Sequence, residues 1–110
     1  MNEKTNETQP IVNLGTALAF QDKSVISRVL LKNSGGTITL FAFDAGEGLS
    51  EHKAPFDAFV EVVEGDAVIT IAGVRYELSA GDSIVLPANV PHAVEAVSRF
   101  KMLLVMIKAS

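Results

Sequence analysis

Short β-rich runs, each closed off by residues that turn a chain sharply, constrain this sequence more than any other feature. After Pro10 the runs fall at 25–31, 37–43, 57–63, 67–72, 75–78, 83–86, 93–97 and 100–108, and they are rich in the branched and aromatic residues that suit a pleated strand. Between them lie Asn33-Ser34-Gly35-Gly36, Gly46-Glu47-Gly48, Glu64-Gly65-Asp66, Ala72-Gly73, Ala80-Gly81-Asp82 and Pro87-Ala88-Asn89-Val90-Pro91. All of these are built around residues that accept tight or left-handed backbone. Eight short strands with regular turns predict an all-β sandwich or barrel. The one stretch with helix-like spacing, IVNLGTALAF at 11–20, is read as a short N-terminal helical turn. A chain of 110 residues can bury one core but not two. Residues 11–110 are therefore expected to form a single domain, preceded by a flexible tail at 1–10. Residues 1–9 (MNEKTNETQ) carry no apolar side chain after Met1, which is not the pattern of a secretion signal.

Charge and composition remove several function classes. Residues are 48% hydrophobic and 20% charged, which predicts a folded domain and not a disordered chain. With no cysteine, disulfides, thiolate metal sites and cysteine nucleophiles are excluded. Nine basic residues against thirteen acidic ones give a net charge of -4, and no basic run is present to track a phosphate backbone, so nucleic acid is not an expected partner. The longest apolar run, 102–107, is far too short to cross a bilayer as a helix. A soluble, cytoplasmic protein is expected.

That same run has a second consequence. Along a strand, Met102, Leu104 and Met106 face one side while Leu103, Val105 and Ile107 face the other. One face can fill the barrel. The other needs a cover, either a second subunit or the N-terminal segment folded back; a homodimer is the expectation, with a self-covered monomer as the alternative.

Two segments carry the chemistry. In GEGLSEHKAPFDAFVEVVEG (46–65) and GDSIVLPANVPHAVEA (81–96), the spacing of Gly46, His52 and Gly65, and of Gly81, Pro87 and His92, resembles the two motifs of the cupin superfamily. The resemblance spans roughly residues 36–108. It implies a double-stranded β-helix, the cupin jelly-roll barrel, with a pocket at one end where His52 and His92 meet from different strands. Members that hold a metal do so with three histidines and a glutamate. Here the second histidine position of the first motif is Ala54 and the glutamate position is Ala58, while Asn89 replaces an inner glycine and Ala96 an asparagine.

The expected ligand pocket is therefore His52, Ala54, Ala58, Val60 and His92, with His52 and His92 as the candidate ligands of a divalent transition metal, should one bind. Strand alternation puts Ala54, Ala58, Val60 and Val62 on the histidine face and turns Asp57 and Glu61 away. Glu51, Asp57 or Glu95 reaches the site only through a bulge. Two classes of function follow: a module that binds a small molecule in the barrel lumen without chemistry, or a metal-dependent oxygenase or isomerase with a two-histidine site. A metal-free isomerase needs a partner for a histidine, and Tyr76, the single tyrosine, has no spacing that sets it opposite His52. Two core histidines satisfied by backbone or water are the plain structural alternative. Asp44, Glu47 and Glu51 are expected to form a solvated acidic rim. Phe56 and Phe59 are candidates to gate the pocket, Phe59 more naturally packing an outer face or a subunit contact.

Overall fold

The computed structural model describes residues 10–109. Among them nine strands run in order: β1 (Val25–Asn33), β2 (Gly36–Phe43), β3 (Gly48–His52), β4 (Phe56–Glu64), β5 (Asp66–Ile71), β6 (Val74–Ser79), β7 (Ser83–Leu86), β8 (His92–Ala96) and β9 (Phe100–Lys108). A five-stranded sheet in the order β1-β2-β9-β4-β7 faces a four-stranded sheet in the order β3-β8-β5-β6, and every pairing is antiparallel. This is the expected jelly roll. The core lies between the sheets, where Phe43, Val60, Val62, Phe100 and Met102 of the larger sheet meet Ala67, Ile69, Leu78, Val94 and Ala96 of the smaller. Phe43 and Phe100 are directly paired across β2 and β9 and stack with ring centroids 4.7 Å apart.

Two of the corners at which the chain changes sheets adjoin each other. Between β4 and β5 it turns at Gly65, which has a left-handed φ of 85°. Between β8 and β9 it turns through residues 97–99. Backbone bonds tie the corners together: Val97 N and Ser98 N both donate to Asp66 O, at 3.1 and 3.3 Å, and Asp66 N donates to Ser98 Oγ at 3.0 Å.

Residues 11–20 form no helix beyond a single turn. The stretch 11–20 contains one unpropagated turn, in which Thr16 N and Ala17 N both donate to Asn13 O. An isolated turn does not extend without further hydrogen bonds to repay its nucleation, and this segment takes its partners from the barrel instead. Lys101 Nζ donates to Gly15 O at 2.6 Å and lies 4.9 Å from the centre of the Phe20 ring. Arg99 approaches the same ring at 5.4 Å. The segment thus covers one end of the outer face of the five-stranded sheet, where Ala42 and Lys101, direct cross-strand partners, are buried.

Asp44 fastens this arrangement and is no mere solvated rim. Its carboxylate accepts Lys23 N at 2.7 Å, Ala45 N at 2.9 Å and Arg99 Nε at 2.9 Å, while Arg99 Nη2 reaches Asp22 at 2.7 Å. The Lys23 amide first, and then Arg99, hold the Asp44 carboxyl below its ordinary value of 3.8. A depressed carboxylate contributes stability above its unfolded value and loses it as pH falls through the lower folded one. Asp44→Asn is therefore expected to lower the urea midpoint at pH 7 and to lose that deficit as the medium is acidified below 3.8. An equal deficit in neutral and strongly acid solution would show that the charge is not what matters.

Candidate functional site

β3 ends at His52 and β8 begins at His92, and the antiparallel ladder sets these two residues directly opposite each other. Cross-strand pairing thus closes a forty-residue separation. The rings meet edge to face, with centroids 4.4 Å apart and planes inclined at 66°. In both, the Nδ1 nitrogen lies against a carbonyl oxygen two residues back: Ser50 O at 2.9 Å from His52, and Val90 O at 3.2 Å from His92. A carbonyl only accepts, so each Nδ1 carries the proton and donates it. Each neutral ring then keeps its lone pair on Nε2.

The two imidazoles sit at one end of a cavity of about 50 Å³, whose remaining lining is Leu49, Ala54, Phe56, Ala58, Leu86, Val94, Met102, Leu104 and Met106. That volume holds roughly four water molecules. His92 is half-buried, whereas His52 is exposed, so the cavity opens to solvent at the His52 side. Burial is the largest cause and pushes the His92 ring below its ordinary 6.5, and the neighbouring His52 acts in the same direction, against the opposing effect of the hydrogen bond that the ring donates to Val90 O.

Ala54 and Ala58 line this space, as the motif spacing implies, and contribute only methyl groups. Val60 does not. It faces inward but is wholly buried in the core cluster below the cavity floor, because β4 has descended two residues past the cavity. The sequence reading omitted the opposite wall. Met102, Leu104 and Met106 of β9 present their inward faces here, Met106 directly beside Ala58. Alternation along the 101–107 run already grouped those three residues; what it lacked was which neighbour β9 takes. Phe56 borders the cavity, while Phe59 lies on the outer face.

Two loops are pinned around the mouth. Asn89 N donates to Ala54 O at 2.8 Å, and Ala88 N donates to Asp57 Oδ1 at 2.9 Å. Asn89 has a φ of 63°, which explains how asparagine serves in place of glycine. Asp57 is thus occupied in holding the loop that leads to His92. Glu95 turns outward towards Arg75, 3.9 Å away, and Glu51 is exposed. Tyr76 borders a separate groove with Ile71, Ile84 and Val85. Among the described residues no group of three or more His, Cys, Asp or Glu side chains could hold a metal ion. Two nitrogens and two methyl groups do not fit the four-ligand metal of the cupin barrel, nor the three protein ligands of a catalytic zinc.

A two-sheet antiparallel jelly roll with paired histidines at one open end defines a cupin. The chain belongs to this family: residues 39–108 match the cupin domain. Its fold is similar to that of a conserved protein of unknown function from Streptococcus pyogenes, with 34% identity, coverage of 100% of this chain and 97% of that one, and a TM-score of 0.88. A cupin 2 conserved barrel domain protein from Leptotrichia buccalis is 39% identical over 88% of this chain and 47% of its own length, with a TM-score of 0.85. A cupin superfamily protein from Desulfitobacterium hafniense is 28% identical, with 93% of each chain covered and a TM-score of 0.85. No curated protein matches the sequence. No helix among the described residues is long and apolar enough to cross a membrane.

Proposed function

We propose that this cupin binds a compact, largely apolar molecule in the open end of its barrel and that its two histidines orient the ligand by accepting a hydrogen bond. The observation that carries the reading is the shared state of the rings. Both Nδ1 protons are committed to backbone carbonyls, so two Nε2 acceptors remain beside a lining that is otherwise apolar. Such a site suits a hydroxyl or amine donor on a small hydrocarbon frame. At about 50 Å³ the enclosed part takes only a few non-hydrogen atoms, so a larger ligand extends out past His52.

Thermal-shift and calorimetric titration with short alcohols, phenols and small amines tests this. His52→Ala and His92→Ala are expected to remain folded, because one ring is exposed and the other half-buried, and to weaken binding at least about tenfold. Binding indifferent to both substitutions, or strong unfolding of both variants in urea, would overturn the reading. So would about one equivalent of iron, manganese, nickel, copper or zinc retained by the purified chain and lost from the double-histidine variant. That result would favour a metal-dependent oxygenase or isomerase.

A pH dependence follows from His92. Its protonation is held below 6.5 by burial, so Nε2 stays an acceptor on acidification past the point where an ordinary imidazole charges. The contribution of His92 to ligand affinity, isolated by comparing the wild type with His92→Ala, is expected to be lost on acidification with a midpoint below 6.5. Stability of the free protein changes in the same window: below 6.5 the unfolded chain takes up a proton that folded His92 refuses, so folding weakens until the folded ring charges too. Calorimetry and urea melts across this range measure both. A His92 contribution lost with a midpoint above 6.5 would contradict the assignment.

A further inference from the structure

The inner face of the five-stranded sheet continues beyond the lumen. Ladder register runs one row from Leu86 of β7 through Ala58 of β4, Met106 of β9 and Thr37 of β2 to Lys32 of β1. Direct partners in an antiparallel ladder point to the same side, so Thr37 and Lys32 carry the lumen wall of Ala58 and Met106 outward to the sheet edge. The next position of the same face pairs Phe56 of β4 with Lys108 of β9. Lys32, Thr37, Phe56 and Lys108 border one groove of about 400 Å³, together with Pro55 and residues of the β1–β2 turn. Phe56 borders both this groove and the histidine cavity, so the groove lies beside the open end of the barrel. Its floor is fastened: Lys108 N donates to Gly35 O at 2.8 Å, and Gly35 N donates to Asn33 Oδ1 at 2.7 Å.

We propose that this groove is an anion subsite for the lumen ligand, which is then a slender hydroxy acid: its hydroxyl meets the histidines and its carboxylate meets Lys32, Lys108 and Thr37. The inference rests on the lumen reading and adds a second pole to it. Hydrogen-bonding character separates the two ends. The cavity offers Nε2 acceptors against apolar walls, so a carboxylate placed there would lose its hydration and face lone pairs. In the groove the two lysines supply only donors, and no acidic side chain among the described residues lines it. Thr37 adds a hydroxyl on the same face, and its buried Oγ1 has no hydrogen-bond partner among the described residues. An acceptor that reaches it supplies the bond it lacks. Half-buried Phe56 offers apolar surface between the two poles. Lys108 lies one strand from Phe56 and Lys32 lies three from Ala58, roughly 5 and 14 Å at ~4.8 Å per strand, so the ligand is on the order of 10 Å long. With a net charge of -4 the chain repels anions at long range, so affinity for a carboxylate has to come from this local arrangement.

Calorimetric titration of the full chain with ω-hydroxyhexanoate and ω-hydroxyoctanoate, against hexanol, octanol and hexanoate, tests this. The better of the two hydroxy acids is expected to bind at least about tenfold tighter than the alcohol of its length, and added salt should shrink the difference. Lys32→Gln combined with Lys108→Gln, both at exposed side chains, should remove that difference and leave the affinity for the alcohol unchanged. Lys108→Glu should turn it into a preference for the alcohol. Thr37→Val keeps the shape and removes the unpartnered oxygen, so it should raise the urea midpoint while weakening the acid at least about threefold, a combination that a purely structural hydroxyl does not give. The two readings fail separately. Alcohols that bind through the histidines with hydroxy acids no tighter, or an acid preference that survives the double lysine substitution, would overturn the subsite and leave the lumen reading standing. Hexanoate bound through the lysines, with no probe affected by His92→Ala, would overturn the lumen reading and with it the two-pole ligand. Binding of none of the probes would overturn both.

Discussion

Gly65→Ala is expected to cost at least about 4 kcal/mol of stability, far more than the same substitution at the turn glycines Gly73 and Gly81. Two penalties meet at this position. The backbone has a φ of 85°, where a Cβ is disfavoured by about 1–2 kcal/mol. The added methyl would also overlap the carbonyl oxygen of Arg99 and lie 2.9 Å from the Cα of Phe100, both backbone atoms that no rotamer change can move aside. The corner is immobile in turn, because Asp66 holds residues 97 and 98 from the opposite side and Phe100 is stacked on Phe43. Gly73 and Gly81 supply the control. Their φ angles are 84° and 96°, yet a Cβ at either meets nothing within 4 Å. Alanine there should cost only the dihedral penalty, and the difference between the variants in urea melts isolates the steric part. Equal losses at Gly65 and Gly73 would mean that the β4–β5 and β8–β9 corners are not in contact.

This corner also shows what was legible in the sequence. Glu64-Gly65-Asp66 announces a turn, and the cupin-like spacing places a glycine there, but neither reveals that the turn abuts a second turn more than thirty residues on. Eight of the nine strands could be located because their apolar residues are dense or alternating. β3 could not, since GLSEH offers one apolar side chain in five, and its neighbour β8 and not its composition makes it a strand. Both histidines were visible as motif positions. Their direct opposition, and the exposure of His52, depend on the β3–β8 register, which no local pattern encodes. Val60 was misplaced for a related reason: alternation reports which face a residue takes but not how far along the barrel it lies. Lys101 is the clearest case of a signal with no sequence meaning in advance. It begins an apolar run and is nearly buried, and two of its partners, Gly15 and Phe20, are more than eighty residues away.

Ala54→His combined with Ala58→Glu is expected to convert the cavity into a metal site, with affinity for zinc, nickel or manganese at least about 100-fold above that of the wild type. Both alanines border the same space as His52 and His92, so the double variant supplies four donors where the wild type supplies two. The sign of the effect on stability separates this from mere tolerance of two substitutions. Ala58 is buried beside Met106 and Leu86, and a carboxylate placed there without a cation loses its hydration against an apolar wall. The metal-free variant should therefore be less stable than the wild type by about 2–4 kcal/mol. A metal that binds only the folded state returns about 4 kcal/mol when its concentration is a thousandfold above the dissociation constant. Melting of the double variant should thus rise steeply with added metal, whereas wild-type melting should barely move, and a third substitution, His92→Ala, should abolish most of the rise. Loss of stability without rescue by any of the three metals would show that residues 54 and 58 do not converge on the histidines, and the pocket register drawn from the first motif would be wrong.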